Sequence, residues 1–363
     1  MAIQKISGVT IDLTSQASGD VAYFDGSEWV RLAKGEAGEV LTMNDLGTFP
    51  VWNLREVLFQ GGQYGYMMGS NADGSPFNLI DRFSFTSQSN AVAVGSMLTG
   101  THANTSSGSS SASHGYSAGH TNITGDVWSN TIQKVSFASA EADSTDVADL
   151  TLARDKAGGA TAFTQQFGYC YGGHHTTPSS TDVIDKYAFA TDSDATNVGD
   201  LTEPQVYYTG GSNSLTHGYR AGGYVNTPNG GSEVIDNWPF ASDTNATDVG
   251  NLLGVYMHVG AGFSSPTHGY TYGSHIAPSG AGDHIEKYSF ATNGNSTDVG
   301  DMTVGRRLAG GVSATDHGYI CGGGNNTGAA VNIIERVAHA TDTNAVDWAD
   351  LTVAKKAGAG VQY

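Results

Sequence analysis

Cysteine is nearly absent from this chain: two residues in 363 make neither a disulfide framework nor a four-cysteine zinc site. Charge is also sparse, at 14%, and mostly of one sign, with 16 Lys and Arg against 35 Asp and Glu, a net −19. So few cations argue against a nucleic-acid binder, whose affinity rests on neutralising phosphates, and against a basic membrane-surface helix. No apolar stretch reaches the roughly 18 residues needed to cross a bilayer, and residues 1–6 lack the uninterrupted apolar region of a secretory leader. Glycine, by contrast, is abundant at 50 residues, and an apolar content of 39% suffices for a core. These figures point to a soluble, acidic, all-β protein.

A short unit recurs six times: an aromatic or His, then Gly, Tyr, two residues and Gly. Its glycines before tyrosine are Gly65, Gly115, Gly168, Gly218, Gly269 and Gly318, about 50 residues apart. An isoleucine follows each unit and opens an alternating run: Ile80, Ile132, Ile184, Ile235, Ile285 and Ile334. Alternation of this kind marks a strand buried more on one face. A polar turn such as 243–248, a short apolar close and a small-residue run such as 306–313 complete the period. Four short strands in about 50 residues predict a propeller blade, and six copies predict six blades. A last small-residue run, 353–360, has no unit after it, so it is expected to complete the first blade and close the ring.

The order of Arg, small residues and Gly-Gly, then Ile and an aromatic, then Trp or Val and Leu, resembles the kelch repeat. The last unit is nearest to it, with Gly322, Gly323, Ile334, Trp348, Leu351 and Lys355. The expected domains are therefore an N-terminal segment, 1–54, and a six-bladed kelch-like propeller, 55–363. Residues 18–52, with Gly19, Asp20, Tyr23, Gly26, Trp29, Gly35, Gly38 and Met43, resemble segments near the N-termini of bacteriophage tail-fibre and related virion proteins. That resemblance implies attachment to other virion proteins through residues 1–54. About 50 residues with few core positions are marginal alone, so a homo-oligomer such as a trimer is expected. Asp25-Gly26 predicts a tight hairpin turn.

The histidines His114, His217, His268 and His317 sit at equivalent turns of different blades. They cannot converge on one ion, which needs ligands within about 2.1 Å, and are expected to support their turns. The turn opening Asp192-Ser193-Asp194 resembles the calcium loops of integrin-type propellers, yet its fifth place is Thr196 and the corresponding turn of the first unit has no acid. Asx-turns bonding their own backbone account for such residues without a cation. No cofactor is expected, with calcium as the alternative. Cys170 and Cys321 fall in nearly opposite blades, too far apart to bridge, and read as buried thiols. No nucleophile or paired-carboxylate arrangement is visible, so an enzyme is not expected.

In an antiparallel four-stranded blade, the second-to-third loops and the blade-to-blade connections share one face. Those loops keep their length and vary in content, carrying Trp128, His174, His175, Tyr224 and His275, while the connections carry Arg154, Gln205, Tyr256, Arg306 and Lys355. Framed loops of varied chemistry are where recognition is usually placed, and these side chains suit sugar hydroxyls and ring faces. The expected role is a phage virion protein, located on the particle surface, whose propeller binds a host receptor or glycan. The alternatives are a capsid-decorating or tail-architectural protein and, third, a glycan-processing enzyme.

Overall fold

In the computed structural model the described residues are 17–35, 39–43, 48–54, 61–72, 75–98, 102–103, 107–122, 127–138, 143–162, 166–175, 180–205, 209–225, 230–257, 259–276 and 280–363. All regular structure among them is β. The chain forms two compact units, Met1–Val57 and Leu58–Tyr363.

The first unit holds two hairpins. Val21–Phe24 pairs with Trp29–Leu32, and Glu39–Met43 with Pro50–Leu54. The first turn has four residues rather than two, because the Asp25 carboxylate accepts hydrogen bonds from the Ser27 and Glu28 backbone N–H groups and from the Ser27 hydroxyl. Asp20 ties Arg31 and the backbone of Ala17 and Lys34 together, which lowers its pKa to about 2. The unit leaves Phe24, Leu41, Met43 and Phe49 exposed.

The second unit is a ring of six antiparallel blades built on four strands each, blade 2 carrying in addition the short strand His102–Ala103 paired with His114–Asn122. Ala359–Gln362 forms the inner strand of blade 1 against Tyr64–Ala72, followed by Ser75–Ser84 and Val92–Ser96. The expected closure by the chain's end is thus present. The inner strands of blades 2 to 6 are Ser107–Ser110, Gly158–Ala162, Gly210–Asn213, Phe263–Ser264 and Gly310–Ser313.

Crowding at the axis explains the small inner residues. Gly108, Gly159, Gly211, Gly262, Gly311 and Gly360 form a circle in which a Cβ on each would lie nearer than 3.0 Å to the carbonyl oxygen of the previous one. Two residues further along, five of the six inner strands tie to the next, Ser313 through its N–H to Gln362 Oε1 at 3.4 Å. The Ser110 N–H donates to Thr161 Oγ1 at 3.1 Å, Asn213 to Ser264 Oγ at 2.9 Å, Ser264 to Ser313 Oγ at 2.9 Å, and Gln362 to Ser110 Oγ at 3.0 Å. These bonds satisfy backbone donors that an inner edge strand leaves open.

The blades are glued by aromatic pairs. The repeat tyrosines Tyr66, Tyr116, Tyr169, Tyr219 and Tyr319 meet Phe137, Phe189, Phe240, Phe290 and Phe85 of the next blade, with centroids 4.6–5.1 Å apart. At the sixth boundary Tyr270 meets His339 instead, at 5.6 Å. Neither nitrogen of His339 has a partner in hydrogen-bond geometry. Burial pushes its pKa down from 6.5 to about 4, against a weaker upward pull from the Thr315 backbone. The unfolded chain therefore binds a proton here near pH 6.5 that the folded chain resists until about pH 4. Stability falls with pH across that window, by about 3 kcal/mol in all. His339→Phe should flatten this slope in melting curves taken from pH 7 to pH 4; an unchanged slope would show that His339 does not carry it.

Candidate functional site

Each blade's first-to-second and third-to-fourth turns lie at one end, and both are used structurally. Ser111, Ser214 and Ser265 close the first kind by accepting from the N–H of His114, His217 and His268, each at 3.0 Å. Those imidazoles pair with the hydroxyls of Ser113, Thr216 and Thr267, as turn supports should. In the acidic turns, Asn197, Asp248 and Asp298 do accept from their own backbone two residues on. The turn's other Asx residue instead reaches the preceding blade. Asn90 Oδ1 accepts the Asp350 N–H at 3.2 Å while the Ala91 N–H donates to the Asp350 carbonyl at 2.8 Å. Asp143, Asp194, Asn245, Asn295 and Asn344 accept in the same way from Ser96, Asp149, Asp200, Asn251 and Asp301. The acidic repeat is therefore an inter-blade clamp.

The opposite end carries the variable loops and the connections. Here the structure corrects the expected binding set. Arg154, Arg306 and Lys355 are fully buried and contact no solvent. Arg154 pairs with Asp185 at 2.9 Å, Arg306 with Glu335 at 2.6 Å and Lys355 with Asp81 at 3.0 Å, each reaching the third strand of the next blade. Burial lowers the pKa of Arg306 and Lys355. Tyr256 is buried too and donates to Glu286 Oε1 at 2.5 Å. In blade 4 the pairing cation for Asp236 is Arg220 from the second strand, at 3.3 Å. Blade 2 has the neutral Gln133, which accepts from the Leu98 N–H and the Ser144 hydroxyl.

This ring of buried third-strand residues escaped sequence reasoning. Its signal was present: the residue after each repeat isoleucine is Asp81, Gln133, Asp185, Asp236, Glu286 or Glu335. An alternating strand places that residue opposite the isoleucine. Because each blade lies between two others, that second face is buried as well.

Of the remaining expected residues, His175 is buried, with Nε2 3.2 Å from the Ser180 carbonyl. Burial lowers its pKa. Tyr224 is half-buried and close to Gly230. The backbones of Gln205 and His275 pair with Thr181 and Ala281. Their side chains lie outside the described residues, as do loop positions 73–74, 123–126, 176–179, 226–229 and 277–279.

One cluster does assemble from the expected set. Trp128 begins the third strand of blade 2, and its Nε1–H donates to His174 Nδ1 of blade 3 at 3.1 Å, with ring centroids 5.3 Å apart. The backbones of His174 and Asp155 bond reciprocally at 2.9 and 3.0 Å. Asp155, 1% exposed, accepts from Thr121 Oγ1 at 2.8 Å and lies 3.5 Å from Lys156 Nζ. Asp155, Lys156 and Thr121 were not expected, since no motif marks them. The result is a half-exposed indole and imidazole above a buried carboxylate, at a blade boundary on the variable face.

The ring matches the solved structure of YjhT with a TM-score of 0.61 and 8% sequence identity, over 81% of this chain and 99% of that one. The likeness is one of fold. No family model matches the chain, and no curated protein does. Cys170 and Cys321 are both free and buried, and burial raises their thiol pKa values, that of Cys321 to about 12.

Proposed function

We propose that this protein is a bacteriophage virion component, a tail fibre or tail-associated protein, whose kelch-like propeller attaches to a receptor or glycan on the host surface. The carrying observation is the division of labour between the two ends of the ring. At the clamp end, the Asx residues and the repeat histidines are engaged in holding turns and blades together. At the other end, Trp128, His174 and Tyr224 keep partial exposure within a rigid frame. Aromatic faces beside hydrogen-bonding groups suit sugar rings. Repeated copies on one particle would convert weak contacts into avidity.

The N-terminal unit supports the same reading. Four large apolar side chains exposed on so small a unit invite burial against copies of itself or against another virion protein. The third-strand acids are engaged in ion pairs or accept neutral donors, so the role proposed is binding rather than catalysis, with no cofactor. An architectural role is the second reading, favoured by Leu253 and Val255, which stand 59% and 56% exposed on blade 4.

Labelled protein carrying Trp128→Ala and Tyr224→Ala should bind host cells at least about tenfold more weakly than wild type, the loss of roughly 1.4 kcal/mol or more. Equal binding by both would sink the attachment face as drawn. A map of the particle with Leu253 and Val255 packed on a neighbour would favour the architectural role.

A further inference from the structure

His174 Nδ1 has two suitors that cannot both be satisfied. The indole N–H of Trp128 points at it from 3.1 Å, which requires a lone pair on that nitrogen. Asp155 Oδ1 lies 3.4 Å from the same nitrogen, is buried, and accepts no hydrogen bond. A carboxylate oxygen facing an imidazole lone pair is unfavourable, whereas the same oxygen facing an imidazolium N–H makes a charge-assisted bond.

We propose that His174 is a proton-operated latch on the attachment face. This deepens the reading of that face as the binding surface. With the imidazole neutral, Nδ1 accepts from Trp128 and holds the indole against blade 3. With the imidazole protonated, Nδ1–H turns to Asp155 Oδ1 and the indole is released, its N–H and ring free for a ligand. No covalent step is involved; one proton is taken up from solvent.

Among the described residues, the charged and titratable groups around the latch are these. On the connection, Lys156 Nζ stands 3.5 Å from the other oxygen of Asp155. Arg154, next to Asp155, is held by Asp185 of blade 3. His175 follows His174 in the chain, and burial lowers its pKa, so it favours staying neutral. Thr121 of blade 2 donates to Asp155 Oδ2 and leaves Oδ1 as the oxygen that faces His174. Imidazole is the side chain whose ordinary range makes such a change accessible between pH 8 and pH 5.

The test follows the Nε1–H resonance of Trp128, assigned by its loss in Trp128→Phe, in the full-length protein between pH 8 and pH 5. The wild-type resonance should move to a solvent-exposed position as the pH falls. In Asp155→Asn it should stay, because the neutral carboxamide no longer offers the anionic oxygen that draws an imidazolium N–H away from the indole. His174→Gln keeps the buried carboxylate and removes the titrating group, so it should also abolish the shift if Asp155→Asn fails to fold. A static wild-type resonance, or an equal shift in His174→Gln, overturns the latch. Host-cell binding is read separately at both pH values. Stronger wild-type binding at pH 5, lost in His174→Gln, supports the latch, and no binding at either pH overturns the attachment reading while the resonance still decides the latch.

Discussion

Deletion of residues 353–363 should leave a chain without a cooperative unfolding transition, at a loss of about 5 kcal/mol or more, beyond what ordinary local changes produce. Three separate circuits pass through this short segment. Gly360 occupies one of the six places in the glycine circle. Gln362 donates to Ser110 Oγ at 3.0 Å, and its Oε1 receives the Ser313 N–H at 3.4 Å. Lys355 neutralises the fully buried Asp81. Ala359 and Val361 also belong to the core around Tyr66, Met68, Ile80, Val135 and Phe137, which would be opened to water. The unpaired edge of Tyr64–Ala72 would then be free to pair with other chains. Thermal and denaturant melts of the truncated chain decide this. A wild-type transition would mean that five whole blades and a three-stranded sixth are enough, and that the closing strand contributes only a local contact.

Glu335→Ala should cost about 3–5 kcal/mol, because it abandons the guanidinium of Arg306 in a site with no access to water. Arg306 Nε and Nη1 already have no partner, so the Glu335 pairing and the bond to the Ile320 carbonyl are what hold it. Thr303, whose N–H and hydroxyl both donate to Glu335, would lose its acceptor as well. The protein supplies its own control. In blade 2 the equivalent place is Gln133, neutral and satisfied by Leu98 and Ser144 without a cation. Arg306→Met combined with Glu335→Gln copies that arrangement and should recover most of the lost stability. Denaturant melts of the single and double variants close the cycle. If the double variant is as unstable as Glu335→Ala, the damage comes from lost shape rather than a stranded charge.

The site was read less well than the ring, and the buried cations show why. Arg154, Arg306 and Lys355 sit at equivalent places on the connections, and at sequence level they read as part of the binding face. Long cationic side chains on a surface strand normally do face water. Here each reaches inward to an acid at least 29 positions distant, Lys355 as far as Asp81 on the other side of the ring closure, and no local pattern reports such a partner. Trp128 and His174 were legible as loop-face residues, but their pairing over a buried Asp155 depends on two blades meeting at one angle.

The repeat spacing, the strand count per unit and the orphan small-residue run at 353–360 sufficed to determine six blades and their closure, because each follows from local periodicity and from the need to leave no open edge. Which polar residues face solvent was decided only by the tertiary structure. A strand's two faces are alike in sequence until a neighbour covers one of them. In this ring every blade is covered on both sides, so Asp81 finds Thr352 across 271 residues and becomes part of the core.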